Sequence, residues 1–146
     1  MSNDDIVSFF IEDLEVGQSA SYERAISDAD VREFALMSGD TNPVHLDEAY
    51  AQTTRFKGRI VHGMLPVTFV STVLGTKLPG AGAIFMGASF RFKAPVRIGD
   101  TVVATPEMRV PSGVSPDGNA EGLLQDVSSN NQLLDFRCTL TDSAEF

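Results

Sequence analysis

Hydrophobic and polar positions follow two different periods along this chain, and the change between them divides it. From Ser27 to Met37, Val31, Phe34 and Ala35 recur at helical spacing, while Asp28, Asp30, Arg32 and Glu33 supply a polar face. Ser27 with Asp30 predicts a capping box at the start, although Asp is a weaker partner there than Glu, and Gly39 marks the stop. A second short helix is predicted from Asp47 to about Gln52, capped by Asp47. A third is predicted to begin near Gly63 and end near Gly75. It is apolar on most sides through Met64, Leu65, Val67, Phe69, Val70, Val73 and Leu74, the pattern of a helix buried on nearly all faces. Pro66 fits its first turn, where a missing N–H does little harm, and Gly75 and Pro79 stand where a stop is expected.

Beyond this helix the period falls to two. In Ala83 to Lys93 the even positions are Ile84, Met86, Ala88, Phe90 and Phe92, predicting a long strand with one apolar face. Thr101 to Val110 and Leu133 to Leu140 repeat the alternation, and Pro106 predicts a sheet edge or a bulge in the first of these. Gln18 to Ile26 and Ala120 to Val127 are weaker strand candidates, and Pro111 to Asn119 reads as a loop. A leading strand, then helices, then a run of antiparallel strands is an α+β arrangement. A mostly apolar helix beside one-faced strands suggests that the sheet curls around it.

Length and charge narrow the function. The chain has 146 residues, enough for one domain (1–146) with a real core. A net charge of -9 argues against a nucleic-acid partner, since phosphate backbones require a basic face. The charge is uneven, however. From Ala49 to Gly99 there is no Asp or Glu, and seven of the 11 Lys and Arg residues lie there, so a small polyanion could be held locally. Cys138 is the only cysteine, which excludes an internal disulfide and fits a reducing, cytoplasmic compartment. The acidic start Met1-Ser2-Asn3-Asp4-Asp5 is unlike a secretory leader. The longest stretch poor in charge, Ile60 to Leu78, is broken by Thr68, Ser71, Thr72 and Thr76, so no membrane span is expected.

The candidate chemistry lies in two clusters around the two histidines. In Ser38-Gly39-Asp40-Thr41-Asn42-Pro43-Val44-His45-Leu46-Asp47, Asp40 and His45 would lie on different faces of a continuous helix. Pro43 pushes Asn42 out of helical geometry, so the chain can turn and both side chains can face one pocket. A carboxylate beside an imidazole can hold a water and exchange protons near neutral pH. A capping Asp and a turn His describe the same residues equally well at this point. The second cluster is Gly58-Arg59-Ile60-Val61-His62-Gly63-Met64-Leu65. Gly63 would open the buried helix, where free amides favour negative charge and could hold an enolate oxygen. His62 reads as structural rather than catalytic. A metal held by Asp40, His45 and His62 is a poor fit to known ligand spacings, and neither a serine-nucleophile motif nor a nucleotide loop occurs.

Taken together, the two clusters resemble the MaoC-like (R)-specific enoyl-CoA hydratases. Ser38-Gly39-Asp40-x-Asn42-Pro43-x-His45-x-Asp47 is similar to their hydratase-2 motif, and Ile60-Val61-His62-Gly63-Met64-Leu65 to their second signature. The likeness continues through Ser71, Leu78-Pro79-Gly80 and Phe90-x-Phe92-x-x-Pro95-Val96-x-x-Gly99-Asp100, covering Phe34 to about Val103. The chain departs from a regular family sheet at Pro106, at 111–119 and in Ala120 to Val127.

The resemblance implies a hot-dog fold, in which an antiparallel sheet wraps a long central helix, working as a homodimer. It implies hydration of trans-2-enoyl-CoA to (R)-3-hydroxyacyl-CoA with Asp40 and His45 as the catalytic pair and Gly63 binding the thioester oxygen. The substrate-binding set is then Asn42, which supports the turn, Ser71 near the acyl pocket, and Arg91, Lys93 and Arg97 for the CoA phosphates. No metal or redox cofactor is expected, coenzyme A being part of the acyl-CoA substrate. An acyl-CoA thioesterase and a non-catalytic acyl-thioester-binding subunit of a dehydratase are the alternative activities.

Overall fold

Local capping chemistry sets the helices of this computed structural model, which describes residues 7–109, 120–126 and 133–142. Strand β1 (Tyr22–Ala25) leads into helix α1 (Asp28–Ser38). The predicted capping box is formed: the Ser27 hydroxyl accepts from the Asp30 amide at 3.2 Å, and an Asp30 carboxylate oxygen accepts from the Ser27 amide at 2.8 Å. Gly39 ends α1 at φ 78°, a left-handed cap at which a side chain would be strained. Next come α2 (Pro43–Leu46), absent from the sequence expectation, then α3 (Glu48–Thr53) and α4 (Met64–Thr76). The Asp47 side chain caps α3, accepting from Tyr50 N–H at 3.0 Å.

The strands that follow are β2 (Ala83–Ser89), β3 (Thr101–Arg109), β4 (Ala120–Asp126) and β5 (Leu133–Asp142). With β1 they make one sheet in the order β1-β3-β5-β4-β2, every described pair antiparallel. Helix α4 packs against β1 at one end of the sheet, β2 at the other and β3 between, so the sheet curls around it. Leu65, Phe69, Val70, Val73 and Leu74 of α4 meet Ile26, Val31, Val61, Val102 and Ala104 in one core cluster. This is an α+β hot-dog fold.

Two strand expectations need correction. The strand from Ala83 stops at Ser89 instead of running to Lys93, and a bulge between Phe85 and Gly87 shifts its register. One extra residue reverses the alternation, which is why a single apolar face cannot be counted straight through. Ile84 (48%) and Phe92 (59%) are in fact exposed in the single chain. Pro106 marks neither an edge nor a bulge. It lies in an interior strand, in unbroken register with β5 on one side. On its other side the β1 ladder is interrupted between Tyr22 and the isolated Ser19–Glu107 bridge. Ala20 N–H still donates to the Pro106 carbonyl at 3.3 Å, but proline has no N–H to return, so the ladder opens there. The predicted loop at 111–119 and the start of the chain at 1–6 lie outside the described residues.

Candidate active site

The break at Asn42-Pro43 brings Asp40 and His45 into one cluster. Asn42 caps α2 by accepting from Val44 N–H at 3.2 Å, and Pro43 supplies the first helical residue. The Asn42 N–H in turn donates to Asp40 Oδ1 at 3.1 Å. One carboxylate oxygen of Asp40 therefore holds the turn, and the other is left for a ligand. The Asp40 side chain is exposed, while His45 and His62 are buried. A carboxylate oxygen of Asp40 and a ring nitrogen from each histidine all lie within 4.8 Å of one another. A single water, with hydrogen bonds of about 2.7–3.0 Å to each side, spans such a gap.

The tautomer of His45 follows from its partner. Its Nδ1–H donates to the Ile60 carbonyl at 2.9 Å, which leaves Nε2 as a free lone pair. Burial pushes the imidazole below its ordinary range, and His62 adds to this. The hydrogen bond to Ile60 and the nearby Asp40 carboxylate oppose the shift without cancelling it. His45 is thus a neutral base at neutral pH. Its backbone is fixed as well: Arg59 Nε donates to the His45 carbonyl at 2.6 Å, and the same guanidinium meets Asp28 of α1 at 2.6 Å.

His62 shares the cluster. Its ring packs against that of His45, tilted by 32° with centroids 3.9 Å apart, and its Nε2–H donates to the Asp40 backbone carbonyl at 3.0 Å. No standard metal-ligand spacing occurs in the sequence, yet the fold brings one potential ligand atom from each of Asp40, His45 and His62 within 4.8 Å of the others. Each histidine gives one ring nitrogen to a backbone carbonyl and keeps the other free, as metal-ligating histidines commonly do.

Gly63 follows directly as the N-cap of α4, exposed, and among the described residues its N–H has no backbone acceptor. A Cβ there would meet the Phe92 ring at 3.1–3.3 Å, so glycine leaves room over the amide. The site therefore offers a carboxylate, a neutral imidazole and a helix-end N–H within one small region. That set can activate a water and stabilise a nearby oxyanion.

The remaining sequence candidates fall into two groups. Ser71 is exposed on α4, about 12 Å along the axis from Gly63 at the ordinary helical rise, so it does not belong to the water-holding cluster. Arg91 and Lys93 are exposed on either side of Phe92. Arg97 is different: its guanidinium donates to the Phe56 carbonyl at 2.6 Å and the Gly58 carbonyl at 3.2 Å, so its donors brace the loop before the second cluster. Arg59 and the Ile60 carbonyl escaped the sequence reading. The only signal for them was their place near His62 in the second cluster, Gly58 to Leu65.

Comparison with known proteins gives the family and the fold. The MaoC like domain family matches residues 12–110. An (R)-specific enoyl-CoA hydratase from Rhodospirillum rubrum is 59% identical over 105 residues, 72% of this chain and 73% of that protein. Among solved structures, the (R)-hydratase from A. caviae superposes with a TM-score of 0.66 at 38% identity, covering 86% of this chain and 95% of that one. The unliganded R-hydratase PhaJ1 from Pseudomonas aeruginosa gives 0.66 at 37% identity, covering 90% and 83%.

Proposed function

The chain belongs to the MaoC-like family, and from that premise we propose that it adds water to trans-2-enoyl-CoA, giving (R)-3-hydroxyacyl-CoA, and catalyses the reverse dehydration. The observation that carries this reading is the approach of Asp40 and His45 within 4.8 Å of each other and of His62, the residue that precedes the Gly63 N-cap.

The substrate carbonyl accepts from Gly63 N–H, which makes C3 electrophilic. The free Asp40 oxygen and His45 Nε2 hold one water. His45 takes a proton as the water oxygen bonds to C3, and the C2–C3 electron pair moves into an enolate whose oxygen rests on the Gly63 amide. The enolate collapses and C2 takes a proton back from the pair on the same face. Syn addition results, and the pair ends as it began. C3 gains a bond to oxygen and C2 a bond to hydrogen, so the net oxidation level of the substrate is unchanged and the step calls for no redox partner.

A neutral imidazole as base has a pH consequence. Protonation of His45 abolishes the acceptor, so kcat/KM falls on the acid side, and a lowered imidazole places that fall below pH 6.5. A kcat/KM profile from pH 5 to 8 should fall to half its plateau only below pH 6.5. Half-loss above pH 7 would contradict the assignment.

We assign Arg91 and Lys93 to the CoA phosphates; what supports this is that both are exposed cations in the segment whose Phe92 ring approaches Gly63. Exposed cations contribute little each, so the double change to Ala should raise KM for acyl-CoA by about three- to tenfold and leave kcat nearly unchanged. An unchanged KM would remove them from the site. A homodimer is the natural assembly: β2 closes one end of the sheet, and pairing there with a second copy would cover the exposed Ile84 and Phe92. No helix among the described residues is long and apolar enough to cross a membrane.

The test is the loss of enoyl absorbance from crotonyl-CoA, followed by chiral analysis of the product. The (R)-3-hydroxy thioester is expected. Free thiol release without hydration would indicate a thioesterase instead.

A further inference from the structure

His62 takes no part in the proton transfers above, yet it is only 2% exposed and contacts both members of the pair. Its ring lies between Phe34 of α1, with centroids 5.0 Å apart, and His45 of α2, 3.9 Å apart. Its Nε2–H donates to the carbonyl of Asp40 at 3.0 Å, and its own carbonyl accepts from Leu65 N–H at 3.0 Å in the first turn of α4. The next residue is Gly63. The second ring nitrogen, Nδ1, is buried with no hydrogen-bond partner among the described residues.

That unpartnered nitrogen argues against a purely space-filling role. A phenylalanine would occupy the same slot between two rings and leave no sealed polar atom. What phenylalanine lacks is the N–H to Asp40. The bond reaches the Asp40 backbone and therefore sets where the carboxylate starts from, while the ring contact sets the plane of the His45 ring.

We infer that His62 is a positioning residue of this hydratase. It joins the Asp40 backbone, the His45 ring and the Gly63 amide into one unit, so that the water and the enolate oxygen stay a fixed distance apart. The inference rests on the hydratase reading above. Misplacing reacting groups by about an ångström can cost on the order of 100-fold, which bounds the expected effect.

Two variants separate the contributions. His62→Phe keeps the ring and loses the donor. His62→Gln keeps a donor of similar reach and loses the ring. With crotonyl-CoA, His62→Phe should lower kcat by about 10- to 100-fold with KM within about twofold, and His62→Gln should recover most of that loss. A folded His62→Phe with kcat within twofold of wild type would overturn the proposal. So would a His62→Gln no faster than His62→Phe, or losses that track thermal stability in both.

A second measurement uses the wild-type protein alone and decides the matter even if neither variant folds. Two-bond nitrogen–proton NMR correlations at neutral pH should show His62 as the Nε2–H tautomer with a slowly exchanging proton, and His45 as the Nδ1–H tautomer. A His62 ring with no proton on Nε2 would remove the bond to Asp40 and with it the proposal. Failure of wild-type protein to hydrate crotonyl-CoA would instead defeat the hydratase reading, so the two failures are distinguishable.

Discussion

Replacing Asp40 or His45 with Ala is expected to lower crotonyl-CoA hydration by about 10²–10⁴, roughly 3–5 kcal/mol of barrier, with the fold retained. Each side chain supplies one acceptor to the same water, so losing either removes both its orientation and its proton path. Neither is a large part of the core. The Asp40 side chain is exposed, and its one described bond is the turn contact from Asn42 N–H. Asp40→Asn sharpens the test, because the amide oxygen can still accept from Asn42 while the negative charge is gone. A comparable loss with Asn would assign the effect to charge and proton affinity rather than to the turn. Circular dichroism and thermal melting would show that the folded state persists. Near-normal turnover by folded variants of both residues would rule out the pair.

Removing the Gly63 N–H should cost about 10²–10³ in kcat, the usual loss of one oxyanion donor. Gly63→Pro does this with little backbone strain, since φ at Gly63 is -56° and proline fixes φ near about -65°. Position 63 is also the N-cap, where no helical bond is lost. Gly63→Ala is the control. Both variants place a Cβ against the Phe92 ring and so crowd it alike, but only proline deletes the donor. Gly63→Ala should therefore stay within about tenfold of wild type by the same comparison. Equal losses in the two variants would assign the effect to crowding against Phe92 and would remove the amide from the mechanism.

The helices were legible because their signals are local. Ser27, Asp30, Gly39 and Asp47 each act on a backbone group within a few residues, and the structure uses all four as caps. The short α2 was not, because Asn42-Pro43 reads as a break, and nothing local says that the chain resumes a helical turn after Pro43. Strand ends depend on partners far away in sequence. The bulge at Met86 answers to its pairing with β4, and the tolerance of Pro106 answers to a gap in the β1 ladder.

The site divides along the same line. The nearness of Asp40 and His45 followed from one proline and one motif. The tautomer of His45 did not, because it is set by the carbonyl of Ile60, 15 residues away. The ring contact of His62 with His45 and its bond to Asp40 are also products of tertiary packing. Arg97, a phosphate candidate by charge alone, is instead occupied by carbonyls that only folding brings near.

The central claim is that Asp40 and His45 act on a single shared water, and a double-mutant cycle tests it most directly. kcat for crotonyl-CoA would be measured in Asp40→Asn, in His45→Gln and in the combined variant. Groups that act as one unit give strongly non-additive losses, so the combined variant should be about as slow as the slower single one. Losses that multiply across the two sites would mean two independent tasks, and the shared water would have to be abandoned.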